Sequence, residues 1–178
     1  MQLQSMPHLS ARITGDKMKK IKIAISACLI GLKYRYDGES RFSQDIVNRL
    51  KDKVDFIPVC PEVECGLSIP RPKMHLEASA KGTRLKVTDS RNDETERMIN
   101  WAENKLDQLE RIGISGYIFQ ARSPSCGLAD AKLLAPGGTR VISSAETGIF
   151  AKMIKRRFPK LIIAEEKDLD EFCRQLDI

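Results

Sequence analysis

Ile21-Lys22-Ile23-Ala24-Ile25-Ser26-Ala27-Cys28 is the stretch from which the fold is read. A short, Ile-rich apolar run with no helical spacing reads as a buried strand, and a cysteine follows it at once. Two later runs repeat the arrangement. Val54 to Val59 (VDFIPV) ends directly at Cys60. Gly116 to Ala121 (GYIFQA) leads, a few residues on, into Ser123-Pro124-Ser125-Cys126-Gly127. Helical patterns separate these strands. Phe42, Ile46, Val47 and Leu50 share a helical spacing within residues 42–53. Ser90 reads as the N-cap of a helix reaching about Arg111, with Met98, Ala102, Lys105, Leu109 and Ile112 on one face and Gly113 as its stop. A helix over 146–158 closed by Pro159, a strand at 161–164 and a helix over 168–176 complete the series, and residues 84–89 form a weaker strand. Strands alternating with helices predict a single Rossmann-like α/β domain, with a mostly parallel sheet flanked by helices. Pro61 to Thr83 has no clear period and reads as a long functional loop. Gly137-Gly138 reads as a hairpin turn.

The chain has 178 residues, 42% of them hydrophobic and only 6% aromatic. That suits one domain with a core of Ile, Leu, Val and Ala. Residues 1–17 are polar and mixed, with no apolar segment of a secretory signal. They read as a poorly ordered N-terminal extension, and the domain as 18–178. No apolar stretch is long enough to span a bilayer. These features predict a cytoplasmic protein, in whose reducing compartment the five cysteines do not pair as disulfides. The net charge of +6 is spread along the chain. It serves solubility, or it favours an anionic partner such as a nucleotide or phosphate; RNA is possible, but no basic tail indicates it.

Ligands of open α/β sheets bind at the carboxyl ends of the strands. If the three strands are parallel, Cys28, Cys60 and Cys126 converge there. Converging thiolates suit zinc, copper(I) or an iron–sulfur cluster. Zinc sites usually show short paired spacings, often with histidine. Here the closest cysteine pair is Cys60 and Cys65, and the only histidines are His8 and His75. Clusters, by contrast, draw cysteines from separate segments. A lone buried cysteine is usually a small apolar filler, and Cys173, beside Leu169 and Phe172, reads as one. Cys65 stays open: ligand, spare thiol or filler. Polar residues gather at the same edge. Glu62 is a candidate general base or a helix cap. Ser123 and Ser125 could orient a substrate carbonyl. Arg35 and Asp37 bind substrate or close a turn as an ion pair. Arg71, between two prolines, grips an anion or ties down its loop.

Three motifs in order resemble a known family. They are Ile25-Ser26-Ala27-Cys28-Leu29-Ile30-Gly31 with Arg35-Tyr36-Asp37-Gly38, then Pro58 to Leu67 with Pro70-Arg71-Pro72, then Arg122 to Gly127. Gly148 to Ala151 matches a later segment. The family is that of the thiouracil desulfidases, long labelled as of unknown function. The resemblance implies a [4Fe–4S] cluster held by three cysteines, Cys28, Cys60 and Cys126. It implies a non-redox exchange of sulfur for oxygen on a thiolated pyrimidine, Glu62 activating water and Ser123 positioning the base. Ser125, Arg35, Asp37 and Arg71 would bind the substrate, a small thiolated base or nucleotide. Cys65 competes with Cys60 for the middle position, and Tyr34 stands where several relatives carry a further cysteine. Two other classes remain open: a non-catalytic cluster or metal carrier or sensor, and a metal-free nucleotide binder, which would lack a glycine-rich phosphate loop.

Overall fold

The computed structural model describes residues 20–178; the expected extension, 1–17, lies outside them. The described chain opens with β1 (Ile21–Ser26), a 3₁₀ turn (Ala27–Ile30), α1 (Gln44–Leu50), β2 (Val54–Val59) and the one-turn α2 (Pro61–Glu64). Next come the hairpin β3 (Met74–Ser79) and β4 (Gly82–Val87), then α3 (Thr95–Ile112) and β5 (Gly116–Phe119). A second hairpin, β6 (Ala131–Leu134) and β7 (Val141–Glu146), precedes α4 (Ile149–Arg157), β8 (Ile162–Glu165), a short 3₁₀ turn (Glu166–Asp168) and α5 (Leu169–Leu176).

These strands form two four-stranded sheets. The first, in order β2-β1-β5-β8, is parallel throughout, as the strand–helix alternation predicts. The second, in order β4-β3-β6-β7, joins two antiparallel hairpins through the parallel pair β3 and β6. The prediction of one mostly parallel sheet is corrected here, because much of the expected 61–83 loop and the segment after Cys126 supply a second, mixed sheet. Its strands carry little periodic signal for a physical reason. Glu77, in the middle of β3, is buried, yet it is neutralised by Arg91 and by Lys86 at 3.3 Å. A buried carboxylate with cationic partners is tolerated, but in sequence it looks like a loop residue. The helix expected from Ser90 also starts later, at Thr95. Ser90 Oγ accepts the Asn92 N–H at 3.4 Å within a turn. The Thr95 hydroxyl accepts the Leu85 N–H at 2.7 Å, tying the helix start to β4.

The parallel sheet is covered on both faces, which is why its strands read as near-continuous apolar runs. Ile23, Ile25 and Ile118 pack against Ile46 and Leu50 of α1 and Phe172 of α5. Cys173 lies in the same layer, as filler. On the other face Ala24, Tyr117 and Phe119 meet Ala102, Leu106 and Leu109 of α3 and Phe150 and Ile154 of α4. Tyr117 stacks on Phe119 with ring centroids 3.8 Å apart. Its hydroxyl is buried and has no hydrogen-bond partner among the described residues. Leaving a buried hydroxyl unpaired costs about 1–3 kcal/mol. Tyr117→Phe is therefore expected to stabilise the protein by about 1 kcal/mol, raising Tm by roughly 2–4 °C for a chain of this size. A thermal melt that is unchanged or lower would show that the hydroxyl has a partner.

Candidate active site

β1 lies between β2 and β5, so the chain leaves it first to one side and later returns on the other. In parallel sheets the crevice above such a reversal is where ligands bind. Cys28 sits in the 3₁₀ turn directly after β1, which Gly31 closes with φ at 98°. A positive φ favours glycine there. Cys60 is the residue between β2 and α2, and its N–H donates to Glu64 Oε1 at 2.8 Å. Glu64 is itself held by Lys105 of α3 at 2.6 Å. Cys126 lies within the loop between β5 and β6. All three line one cavity of about 140 Å³ at the strand ends. A single water needs roughly 10–15 Å³ by the same measure, so the cavity admits a group much larger than one ion. Cys65 does not line it. Its thiol approaches the Glu62 carbonyl at 3.3 Å and packs beside Leu76, Leu85 and Met98 in the second sheet's core.

Burial pushes the Cys28 thiol up to about 12, with Cys60 adding to the effect. Cys60 rises to about 11, again through burial and then the Glu62 carboxylate. Cys126 is raised well above the ordinary range by burial, then by Cys60, Glu62 and Cys28. Three such thiols ionise together only when a cationic group compensates them, the coupling expected of a metal site. Among the described residues, no three His, Cys, Asp or Glu side chains close around a single metal ion. All-sulfur donors spread around a cavity fit a polynuclear cluster, which is wider than an ion.

Glu62 bridges two of the loops. Its Oε2 accepts from Arg71 Nε at 2.8 Å, and its Oε1 accepts the Ser125 hydroxyl at 2.8 Å. Arg71 is nearly buried and also donates to the Tyr34 carbonyl at 3.0 Å and the Ser68 carbonyl at 3.3 Å. It therefore ties down its loop and aims Glu62 at once. Ser123 faces the cavity. Its oxygen accepts the N–H groups of Ser125 at 3.2 Å and Cys126 at 3.1 Å. A hydroxyl offers two acceptor lone pairs and one proton, so Ser123 is left to act as a donor.

The remaining predicted residues stand in two ranks. Arg35, Arg71, Glu62 and Ser123 are on the wall; Asp37 and Ser125 stand behind it. Asp37 holds Arg35 with two contacts, at 3.2 and 2.8 Å, and the guanidinium keeps its carboxyl down at about 2. Sequence reasoning missed Gln120, whose Oε1 lies 3.5 Å from the Cys28 sulfur, and Arg122, which lines the cavity with φ at 60°. For Gln120 the available signal is a polar residue closing an apolar strand. Arg122 adopts a left-handed conformation that non-glycine residues rarely take, and sequence carries no mark of it.

α4 secures the third cysteine. The N–H groups of Gly148, Ile149 and Phe150 donate to the carbonyls of Gly127, Pro124 and Ser125 at 2.8, 3.1 and 3.0 Å. The loop thus satisfies donors that a helix start leaves unpaired. The close approach depends on Gly148, where a Cβ would lie 2.5 Å from the Ser125 carbonyl carbon. Gly148→Ala is expected to displace the Cys126 loop and to destabilise the fold by about 1–3 kcal/mol, the usual range for overpacking. Chemical denaturation of the variant measures it.

A family model described as 2-thiouracil desulfurase matches residues 23–166, a span that contains all three cysteine motifs. The chain is 34% identical over 110 residues to the uncharacterized protein YbbK of Bacillus subtilis (strain 168), covering 59% of this chain and 72% of that protein. Its fold is similar to the solved structure of the [4Fe-4S]-dependent thiouracil desulfidase TudS, with a TM-score of 0.72 and 30% identity over 89% of this chain and 99% of that one. A family model matched over most of the chain, across all three cysteine motifs, and a fold shared with a solved relative mark this chain as a member of the 2-thiouracil desulfurase family.

Proposed function

We propose that the protein is a [4Fe–4S]-dependent desulfidase, its domain spanning residues 18–178, that exchanges the sulfur of a thiolated pyrimidine for oxygen. Thiouracil and water give uracil and hydrogen sulfide, and no electron is gained or lost. The observation that carries this reading is the meeting of three thiols and the Glu62 carboxylate on one cavity. Cys28, Cys60 and Cys126 would hold the cluster. When bound there, the cluster would supply a Lewis acid toward the thiocarbonyl sulfur. The parallel sheet then works as a Rossmann-like sheet does, presenting its ligands above the strand reversal.

The chain's own residues supply the rest. Glu62 takes a proton from the attacking water, with Arg71 and Ser125 fixing the orientation of its oxygens. Ser123, left as a donor, binds the base and supports the negative charge that grows as water adds to carbon. Arg35, braced by Asp37, binds the polar edge of the substrate at the wall. The substrate is a small thiolated base or nucleotide. Among the described residues no helix is long and apolar enough to cross a membrane, and the five cysteines are free; we place the protein in the cytoplasm.

Anaerobic reconstitution with iron and sulfide tests the proposal. A brown protein that releases sulfide from 2-thiouracil is the expected result. Failure to take up a cluster, or a loaded protein inert toward a panel of thiolated bases, defeats it.

A further inference from the structure

A second, larger concavity lies between α3, α4 and the β3–β4 turn and shares no lining residue with the cysteine cavity. Its volume is about 500 Å³, inside the roughly 300–1,000 Å³ typical of small-molecule sites. Two helical faces build it. Ile99, Glu103 and Leu106 of α3 follow one another at helical spacing, and so do Ile149, Lys152, Met153 and Arg156 of α4. Lys81, from the β3–β4 turn, closes one edge.

The charge in this groove is uneven. Arg157 is spent on Asp107 at 2.8 Å and Glu110 at 2.6 Å. Lys81, Lys152 and Arg156 have no ion-pair partner among the described residues, and Glu103 is the one carboxylate on the lining. The unpaired cations thus exceed the carboxylate by two. Basic residues at a helix C-terminus offset the helix dipole. That accounts for the basic end of α4 by itself. It does not account for Lys152, a full turn earlier, or for Lys81, which arrives from another element. Ile99, Leu106, Ile149 and Met153 supply an apolar floor between the charges. A phosphate monoester carries about −1.5 to −2 near neutral pH, which matches the excess.

We propose that this groove is a second ligand site, for a phosphate monoester with a flat or apolar body, the class to which nucleoside 5′-monophosphates belong. The phosphate lies between Lys152, Arg156 and Lys81, and the body rests on the apolar floor. The site stands independently of the desulfidase reading, because it uses none of the cysteine cavity's residues.

Calorimetric titration of the full chain, prepared anaerobically, with uridine 5′-monophosphate, uridine and inorganic phosphate tests it. The monophosphate should bind at least tenfold more tightly than either fragment, and more weakly as salt is raised. The double substitution Lys152→Glu and Arg156→Glu lies on exposed helix positions. It should weaken monophosphate binding tenfold or more while the protein stays folded, its thermal melt lowered by a few degrees at most through the lost helix-end cation. Phosphate bound as tightly as the monophosphate would overturn the proposal, since the floor would then contribute nothing. Binding that survives the double substitution would place the ligand elsewhere, and the absence of binding at millimolar concentration would remove the site altogether.

Discussion

Cys60→Ser is expected to abolish cluster uptake, and Cys65→Ser to leave it intact. Both residues flank the one-turn helix α2, and from the family resemblance either could serve as the middle ligand. Their surroundings differ. Cys60 lines the cavity with Cys28 and Cys126, whereas Cys65 packs with Leu76, Leu85 and Met98. Among the described residues no other cysteine lines that cavity, so a Cys60 variant keeps two thiols and has no substitute. A serine hydroxyl is a poor replacement for a soft thiolate. Iron and sulfide counts after anaerobic reconstitution should fall to background for Cys60→Ser, and the brown absorbance should vanish. Cys65→Ser places a hydroxyl in a half-buried apolar pocket, for a stability loss of about 1–3 kcal/mol, yet should keep full iron content. The reverse pattern would transfer the middle ligand to Cys65.

Glu62→Gln is expected to keep the cluster and to lower kcat by about 10²–10⁴, the range for removal of a general base. Glutamine preserves the shape and can still accept from Ser125, but it cannot take a proton from water. The same substitution deprives Arg71 of its anion. Truncating one partner of a buried ion pair can cost roughly 3–5 kcal/mol, so a thermal melt must accompany the kinetics. The pH profile separates the two effects. Loss of a base removes the acid limb of the rate profile, while mere loosening lowers the rate at every pH. Glu62→Asp, which restores the base at a shorter reach, should recover part of the activity. A Glu62→Gln protein that stays folded and fully active would remove Glu62 from the chemistry and favour a non-catalytic cluster carrier.

Much of the site could be read in the chain. Cys28 and Cys60 directly follow strands and Cys126 lies a few residues past a third; parallel strands put such positions at one edge, and all three cysteines line one cavity. The polar residues gathered by the same reasoning divide in the structure into wall and support. Ser125 and Asp37 look like Ser123 and Arg35 in sequence. Which of them faces the cavity depends on hydrogen bonds to partners as distant as Glu62, 63 residues away from Ser125.

By itself, then, the sequence determined the parallel sheet, its covering helices and the edge where the cysteines meet. Those features rest on local period and on residues next to a strand end. Tertiary structure alone decided the second sheet and the facing of the middle cysteines. β3 pairs with β6 through Leu76 and Leu133, a contact that no local window contains, and the buried Glu77 is tolerated only because Arg91 and Lys86 reach it from other segments. Cys60 stands just before α2 in an extended conformation and Cys65 just after it. Only the packing of α2 between the strand ends and the second sheet sets Cys60 toward the cavity and Cys65 toward the core.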